Sequence, residues 1–207
     1  MSKILIKKLI LSVIYTNTYI IYDDKVNEAV LIDPADEPGR IMNAVKKLKV
    51  KPVAVFLTHG HYDHILAANF LKNYYQIPIV AHNREKTLLK DSLLNLSVEN
   101  DCSIKVYPDI FVKDKEEIEV GGMTFKTIYS PGHTNGSCCY YMESEKIIFS
   151  GDTMFAGTCG RCDLPTGDPA KMAKSIAKLL KLSDDVVVFP GHGDQTVIGL
   201  ERFYYQW

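Results

Sequence analysis

A chain of 207 residues, 46% hydrophobic and 24% charged, has an ordinary globular composition and is long enough for one domain, 1–207, with a sizeable core. Its 24 Lys and Arg set against 25 Asp and Glu give a net charge of −1, which leaves no basic excess to hold a nucleic acid. Five cysteines, an odd number, make no disulfide framework and fit a reducing, cytoplasmic setting.

Lys3, Lys7 and Lys8 precede an apolar run, Leu9-Ile10-Leu11-Ser12-Val13-Ile14, in the manner of a signal peptide. The polar Tyr15-Thr16-Asn17-Thr18 that follows offers no small-residue cleavage site, and the run is far short of the ~20 residues that cross a bilayer. No membrane partner is expected. Strands are expected at 4–14, 18–22 and 28–32, with turns at Thr16-Asn17 and Asp23-Asp24.

Pro38-Gly39 then opens a helical pattern with Ile41, Ala44, Val45 and Leu48 on one face and Lys46, Lys47 and Lys49 on the other. A strand at 53–57, a helix at 63–74, a short strand at 77–81 and a helix at 83–91 follow. Asp63 and His64 fall in the first turn of the second helix, where Asp is a favoured cap. Residues 92–108 show no period and are expected to form a loop near the site. From 110 the chain is strand-rich, with turns at Gly121-Gly122 and Glu143-Ser144. It ends with a helix at 169–181, a strand at 186–189 and an aromatic tail that closes on Trp207. The order βββαβαβα followed by ββββαβ predicts two mixed sheets packed face to face, with helices outside.

Four strand-like runs each end in residues able to bind metal. They lead into Thr58-His59-Gly60-His61-Tyr62-Asp63-His64, Ser130-Pro131-Gly132-His133, Ser150-Gly151-Asp152 and Pro190-Gly191-His192, which hold five of the six histidines. In His59-Gly60-His61 alternate side chains can converge on one ion, with Gly60 letting the backbone bend between them. In both Pro-Gly-His segments Pro stops the strand, and a glycine with positive φ can turn the histidine inward. Asp152 supplies an anionic oxygen able to bridge two cations. Imidazole and carboxylate without thiolate suit Zn²⁺, and also Fe or Mn. His82 lies outside these motifs and reads as structural, and Met172, Ile176 and Leu179-Leu180 read as a core stripe.

These motifs at their spacings resemble the metallo-β-lactamase superfamily, in particular the glyoxalase II-like hydrolases. Asn17-Thr18-Tyr19, Leu31-Ile32-Asp33-Pro34, Pro131-Gly132-His133-Thr134, Ser150-Gly151-Asp152-Thr153 and Gly160-Arg161-Cys162-Asp163-Leu164-Pro165 add to the likeness, which covers essentially the whole chain. The resemblance implies an αββα sandwich with the site at the open edge between the sheets. It implies two Zn²⁺ per chain, one held by His59, His61 and His133 and one by Asp63, His64 and His192, with Asp152 shared.

Two cations about 3.5–4 Å apart can hold a water between them and give hydroxide at neutral pH. In the family Asp63 also orients that hydroxide, so the resemblance makes it both ligand and catalytic residue. The implied activity is hydrolysis of a small-molecule, anionic thioester, of the hydroxyacylglutathione type. Arg161 falls where related enzymes carry a cation near the thiol portion, and is the candidate substrate-binding residue. Asp194 replaces a tyrosine of full-length glyoxalase II, and the C-terminal helical extension that binds glutathione is missing, so the short form of the family is expected. Alternatives on the same motifs are a persulfide dioxygenase with a single Fe and a lactonase or other ester or amide hydrolase. Cys159 and Cys162 have C-x-x-C spacing, but without a second pair they carry little weight as a redox or zinc motif. Cys138 and Cys139, adjacent on a strand, face opposite sides and cannot readily act together.

Overall fold

Strand alternation decides the layers, because neighbouring residues of a strand point to opposite faces. In β2 (Thr16–Asp23), Tyr19 and Ile21 join one apolar cluster and Ile20 joins another. The computed structural model describes residues 3–205, so Trp207 at the end of the tail lies outside the described residues. Among these residues the chain forms two six-stranded sheets. One runs in the order β1 (Ile4–Leu11), β2, β3 (Glu28–Ile32), β4 (Lys51–Leu57), β5 (Ile79–His82) and β6 (Ile110–Val112). The other runs β12 (Thr196–Val197), β11 (Val187–Pro190), β10 (Ile147–Gly151), β9 (Cys138–Met142), β8 (Met123–Tyr129) and β7 (Glu117–Val120). Both are mixed: pairing is parallel from β3 to β6 and between β10 and β11, and antiparallel elsewhere.

Between the sheets, Tyr19, Ile21, Val30, Ile32 and Phe56 meet Phe125, Cys138, Tyr140 and Phe149. The Phe56 ring lies 5.1 Å from that of Phe125 and 4.8 Å from that of Tyr140. Outside the first sheet, Ile20, Leu31, Val55 and Leu57 pack with Ile41 and Val45 of α1 (Pro38–Leu48) and Leu71 of α3 (Ala68–Tyr75). Outside the second, Cys139, Tyr141, Ile148 and Val188 pack with Met172, Ile176 and Leu179 of α5 (Pro169–Leu179) and Ile198 of α6 (Ile198–Tyr204). The architecture is the expected αββα sandwich, and Cys138 and Cys139 take opposite faces. Each large side chain withdrawn from water contributes about 1.5–3 kcal/mol. No helix among the described residues is long and apolar enough to cross a membrane.

Several boundaries differ from the expectations. The first turn occupies residues 12–15, not Thr16-Asn17, with Ser12 and Tyr15 at positive φ of 63° and 60°. Val13 at that tip is 88% exposed, so its apolar side chain, which prolongs the strand pattern, belongs to a turn. The helix expected at 63–74 is two, α2 (Tyr62–Ile65) and α3, because the Ala67 N–H donates to Pro34 O at 3.0 Å and not within its own helix. Asp63 therefore lies inside α2, whose N-cap position is His61. The stretch expected as a helix at 83–91 is a 3₁₀ turn, Asn83–Glu85, followed by α4 (Lys86–Leu89). β6, the start of the strand-rich tract, pairs with β5 in the first sheet. Residues 196–204, merged with the tail in the sequence pattern, form β12 and α6.

Strands β3 and β4 run parallel, as do β10 and β11, and β8 shares the direction of β10 because both are antiparallel to β9. Within each sheet these carboxyl ends share one edge, the usual place for a site in sheets of this kind. There the Cys138 N–H donates to Thr58 O at 2.9 Å and the Asn17 N–H to Gly191 O at 2.7 Å, joining the sheets.

Candidate metal centre

Asp33, one residue past β3, organises the first part of the site. Its Oδ1 accepts from the Thr58 N–H at 2.8 Å, and its Oδ2 accepts from Thr58 Oγ1 at 2.6 Å. The same Oδ2 lies 3.0 Å from His64 Nδ1. A proton held on Nδ1 leaves the Nε2 lone pair of His64 facing inward, the arrangement in which a carboxylate orients a metal-binding imidazole. Thr58 Oγ1 is also 3.1 Å from His59 Nδ1, which directs the other nitrogen of that ring the same way. Past β8, His133 is fixed by the contact of its Nδ1 with Arg161 O at 2.7 Å.

The remaining atoms converge. His61 Nδ1 and His133 Nε2 are 2.8 Å apart. His64 Nε2 lies 3.2 Å from Asp63 Oδ2 and 3.4 Å from Asp152 Oδ1. His192 Nε2 lies 3.3 Å from Asp63 Oδ2 and 3.6 Å from Asp152 Oδ2, which is itself 3.5 Å from His133 Nε2. Three groups each have their ligating atoms within 4.8 Å of one another: His59, His61 and His133; His59, His64 and Asp152; and Asp63, His64 and His192. All seven sequence-selected residues are thus in one place, and all but His192 are buried. His82 is elsewhere, stacked on Tyr129 at 4.5 Å.

Of the two Pro-Gly-His glycines, Gly132 takes the expected positive φ and Gly191 does not. Gly132 has positive φ (146°), and a Cβ there would fall 2.4 Å from Met172 Cα. Gly60 and Gly191 take ordinary φ values and are needed for space. A Cβ on Gly191 would sit 2.2 Å from Asp152 Oδ1, and one on Gly60 would sit 2.8 Å from the Leu88 and Leu89 side chains.

Electrostatics divides the cluster. Burial, with the neighbouring imidazoles, holds His59 well below the usual histidine range and brings His61 down to about 3. For His64 burial works against the charged form, but Asp63 and Asp152 outweigh it and raise its pKa well above normal. Burial likewise opposes ionisation of Asp63 and Asp152, yet His64 and its neighbours hold Asp63 well below the carboxylate range and Asp152 at about 2. His59 Nε2 and His61 Nε2 are buried with no hydrogen-bond partner among the described residues, while His64 Nε2 and Asp152 Oδ1 have only their ion-pair contacts. Such orphaned atoms cost free energy unless something pairs with them. The neutral imidazoles of His59 and His61 and the anionic oxygens of Asp63 and Asp152, turned on one another, fit divalent cations, for which His64 would give up its proton, and the residues present suit such a group.

His61, Asp63, His133, Asp152 and His192 form much of the polar lining of a cavity of about 420 Å³, behind which lie His59 and His64. Ile14, Tyr62, Leu96, Phe155 and Leu164 supply its apolar walls, and Glu99, Asn100 and Arg161 its other polar groups. Leu96, Glu99 and Asn100 come from the unpatterned stretch 92–108, which is a loop at the site with one 3₁₀ turn, Val98–Asn100. Arg161 lines the cavity while its guanidinium makes two 2.7 Å bonds to Asp163. A larger depression of about 510 Å³, lined by residues such as Lys7, Arg40 and Lys47, contains none of the seven residues.

Three residues of this centre have no role assigned in the sequence. Asp33 ends a strand-like run just as the selected ligands do, and that pattern could have found it. Thr16, whose Oγ1 donates to Asp63 Oδ2 at 2.9 Å, lies where a turn is expected. Glu85 has no sequence signal.

The model of the metallo-beta-lactamase superfamily matches residues 11–192. A hydroxyacylglutathione hydrolase, GloC, of Haemophilus influenzae is 35% identical over 190 residues, 90% of this chain and 89% of that protein. The crystal structure of the BLEG-1 B3 metallo-beta-lactamase superposes with a TM-score of 0.92 at 34% identity, covering 98% of both chains. That of TTHA1623 in a di-iron-bound form superposes at 0.83 with 31% identity, covering 94% of this chain and 96% of the other. Two sheets delivering histidines and aspartates to one edge, in a chain matched along nearly its whole length, place this protein in the metallo-β-lactamase superfamily.

Proposed function

We propose that the protein is a metal-dependent hydrolase of thioesters. The observation that carries this reading is the convergence of seven side chains, several with unpartnered buried atoms, at a cavity with apolar walls. His59, His61 and His133 would hold one divalent cation and Asp63, His64 and His192 a second, with Asp152 between them. Nitrogen and oxygen donors favour zinc, and the di-iron relative makes iron the alternative. Bound there, the cations supply Lewis acidity and lower the pKa of water toward ~7. Thioester substrates are supported by the resemblance to the Haemophilus hydroxyacylglutathione hydrolase.

The protein's own groups have separable tasks. Asp63 stays anionic, and the Thr16 hydroxyl fixes its carboxylate at the cavity floor, in position to orient an attacking water. Ile14, Leu96, Phe155 and Leu164 exclude bulk water from the acyl and thiol portions. Arg161, the one Lys or Arg lining the cavity among the described residues, would meet an anionic part of the substrate by exchanging Asp163 for it. Metal content per chain, measured together with turnover of a thioester panel, tests the reading. Two metals with thioester hydrolysis are expected; a single iron with oxygen uptake on a persulfide would replace the proposal by a dioxygenase.

A further inference from the structure

Glu85 is 1% exposed and is not among the cavity-lining residues, yet it touches both loops that carry the histidine triad. Its Oε1 accepts from the Gly60 N–H at 2.9 Å and from Thr134 Oγ1 at 2.9 Å. Gly60 lies between His59 and His61, and Thr134 follows His133. Thr134 Oγ1 is also 2.7 Å from Ser137 Oγ, which closes the loop after His133. Glu85 Oε2 lies against Gly136, where an added Cβ would fall 2.2 Å away. Leu88 and Leu89, just beyond Glu85, leave no room for a Cβ on Gly60. Residues 85–89 are therefore a bed on which both loops rest.

The remaining ligands rest on other groups, one of which, Asp33, also reaches His59 through Thr58. Asp33 contacts His64, Thr16 donates to Asp63, and Asn17 Nδ2 donates to Pro190 O and Gly193 O beside His192. Burial pushes the Glu85 carboxyl up to about 7, so the fold retains a costly group at this point.

We propose that Glu85 is a positioning residue that fixes His59, His61 and His133 relative to one another, and so sets the affinity of one cation position and not the other. This rests on the two-cation reading of the site. Removing a partner that orients metal ligands typically costs 10–100-fold in metal affinity.

The test is stepwise titration of the metal-free protein with Co²⁺, followed by absorbance and calorimetry, alongside melting of the metal-free form. The parent is expected to bind in two steps. Glu85→Met, which removes the acceptor at similar size, should weaken one step roughly 10–100-fold and leave the other within about 3-fold. Thr134→Val, which removes only the hydroxyl that ties Glu85 to the His133 loop, should weaken the same step, and it decides the matter if Glu85→Met fails to fold. Unchanged or equally weakened steps, with only the metal-free melting temperature lowered, would make Glu85 a plain stabilising residue and overturn the inference. A parent that binds no cobalt would instead defeat the two-cation reading, and this inference with it.

Discussion

Gly191 shows how tightly single residues are specified here. A methyl group there would overlap Asp152 Oδ1, at 2.2 Å, and His64 Cε1, at 2.7 Å. Gly191→Ala should lower the metal content and cut turnover at least ~10-fold while costing only about 1–3 kcal/mol of stability, as overpacking usually does. A fully loaded, fully active variant would contradict this. Arg161→Ala keeps the backbone carbonyl that contacts His133, so only the cation is lost. KM for an anionic thioester should rise roughly 3–10-fold with kcat little changed, within the range for charge-assisted bonds at an exposed site; an unaltered KM would remove Arg161 from substrate binding. His82 gives a pH signature. Burial holds its imidazole down to about 4, with Arg84 and Lys178 acting in the same sense and Asp114 against. The unfolded chain, titrating near ~6.5, then binds more protons between pH 6.5 and 4, so stability rises with pH across that window and is lost as pH falls through it. Urea unfolding of His82→Phe against the parent at pH 7 and pH 5 should show a difference in pH dependence on the order of 2 kcal/mol. Parallel curves would show that the ring titrates normally.

Among the elements, α5 links local sequence to the site. Pro169 stands at its start and Asp168 caps it, accepting from the Lys171 N–H at 3.0 Å. The Asp168 N–H donates to Gly132 O at 2.8 Å, and Ser175 Oγ donates to Pro131 O at 2.6 Å, so the helix holds the loop that presents His133. Asp168→Ala should cost about 1 kcal/mol in chemical denaturation, and no loss would mean that the cap is dispensable. Helices such as 38–48 and 169–179 are legible because their apolar period and terminal signals are local. The break between α2 and α3 is not, since it depends on a carbonyl at Pro34 that no pattern within 63–74 reveals. The tip at 12–15 misleads for a related reason: Val13, Ile14 and Tyr15 carry strand-like side chains outside the sheet.

In the whole molecule the centre is also a joint between sheets. His59, His61 and His64 follow β4 of one sheet, while His133, Asp152 and His192 follow β8, β10 and β11 of the other. Cations shared between them would tie the sheets together. Without metal five imidazoles crowd together, with the ring centre of His59 4.1 Å from that of His64 and 4.7 Å from that of His133. Chelation should therefore lower the melting temperature and readdition of zinc restore it. Metal at 1,000 times its dissociation constant adds about 4 kcal/mol. Identical melting with and without chelator would show that no bound metal supports the fold.

The sequence by itself determined the layered α/β architecture and the seven residues of the centre, because strand period and the placement of polar residues at strand ends are properties of short segments. Only the tertiary structure decided what holds those residues. Asp33 reaches Thr58 across 25 positions, and Glu85 reaches Gly60 across 25 and Thr134 across 49. A buried carboxylate is defined by the donors that surround it, and those donors become its neighbours only when β3, β4 and β5 align in one sheet and, for Thr134, when the second sheet closes on the first.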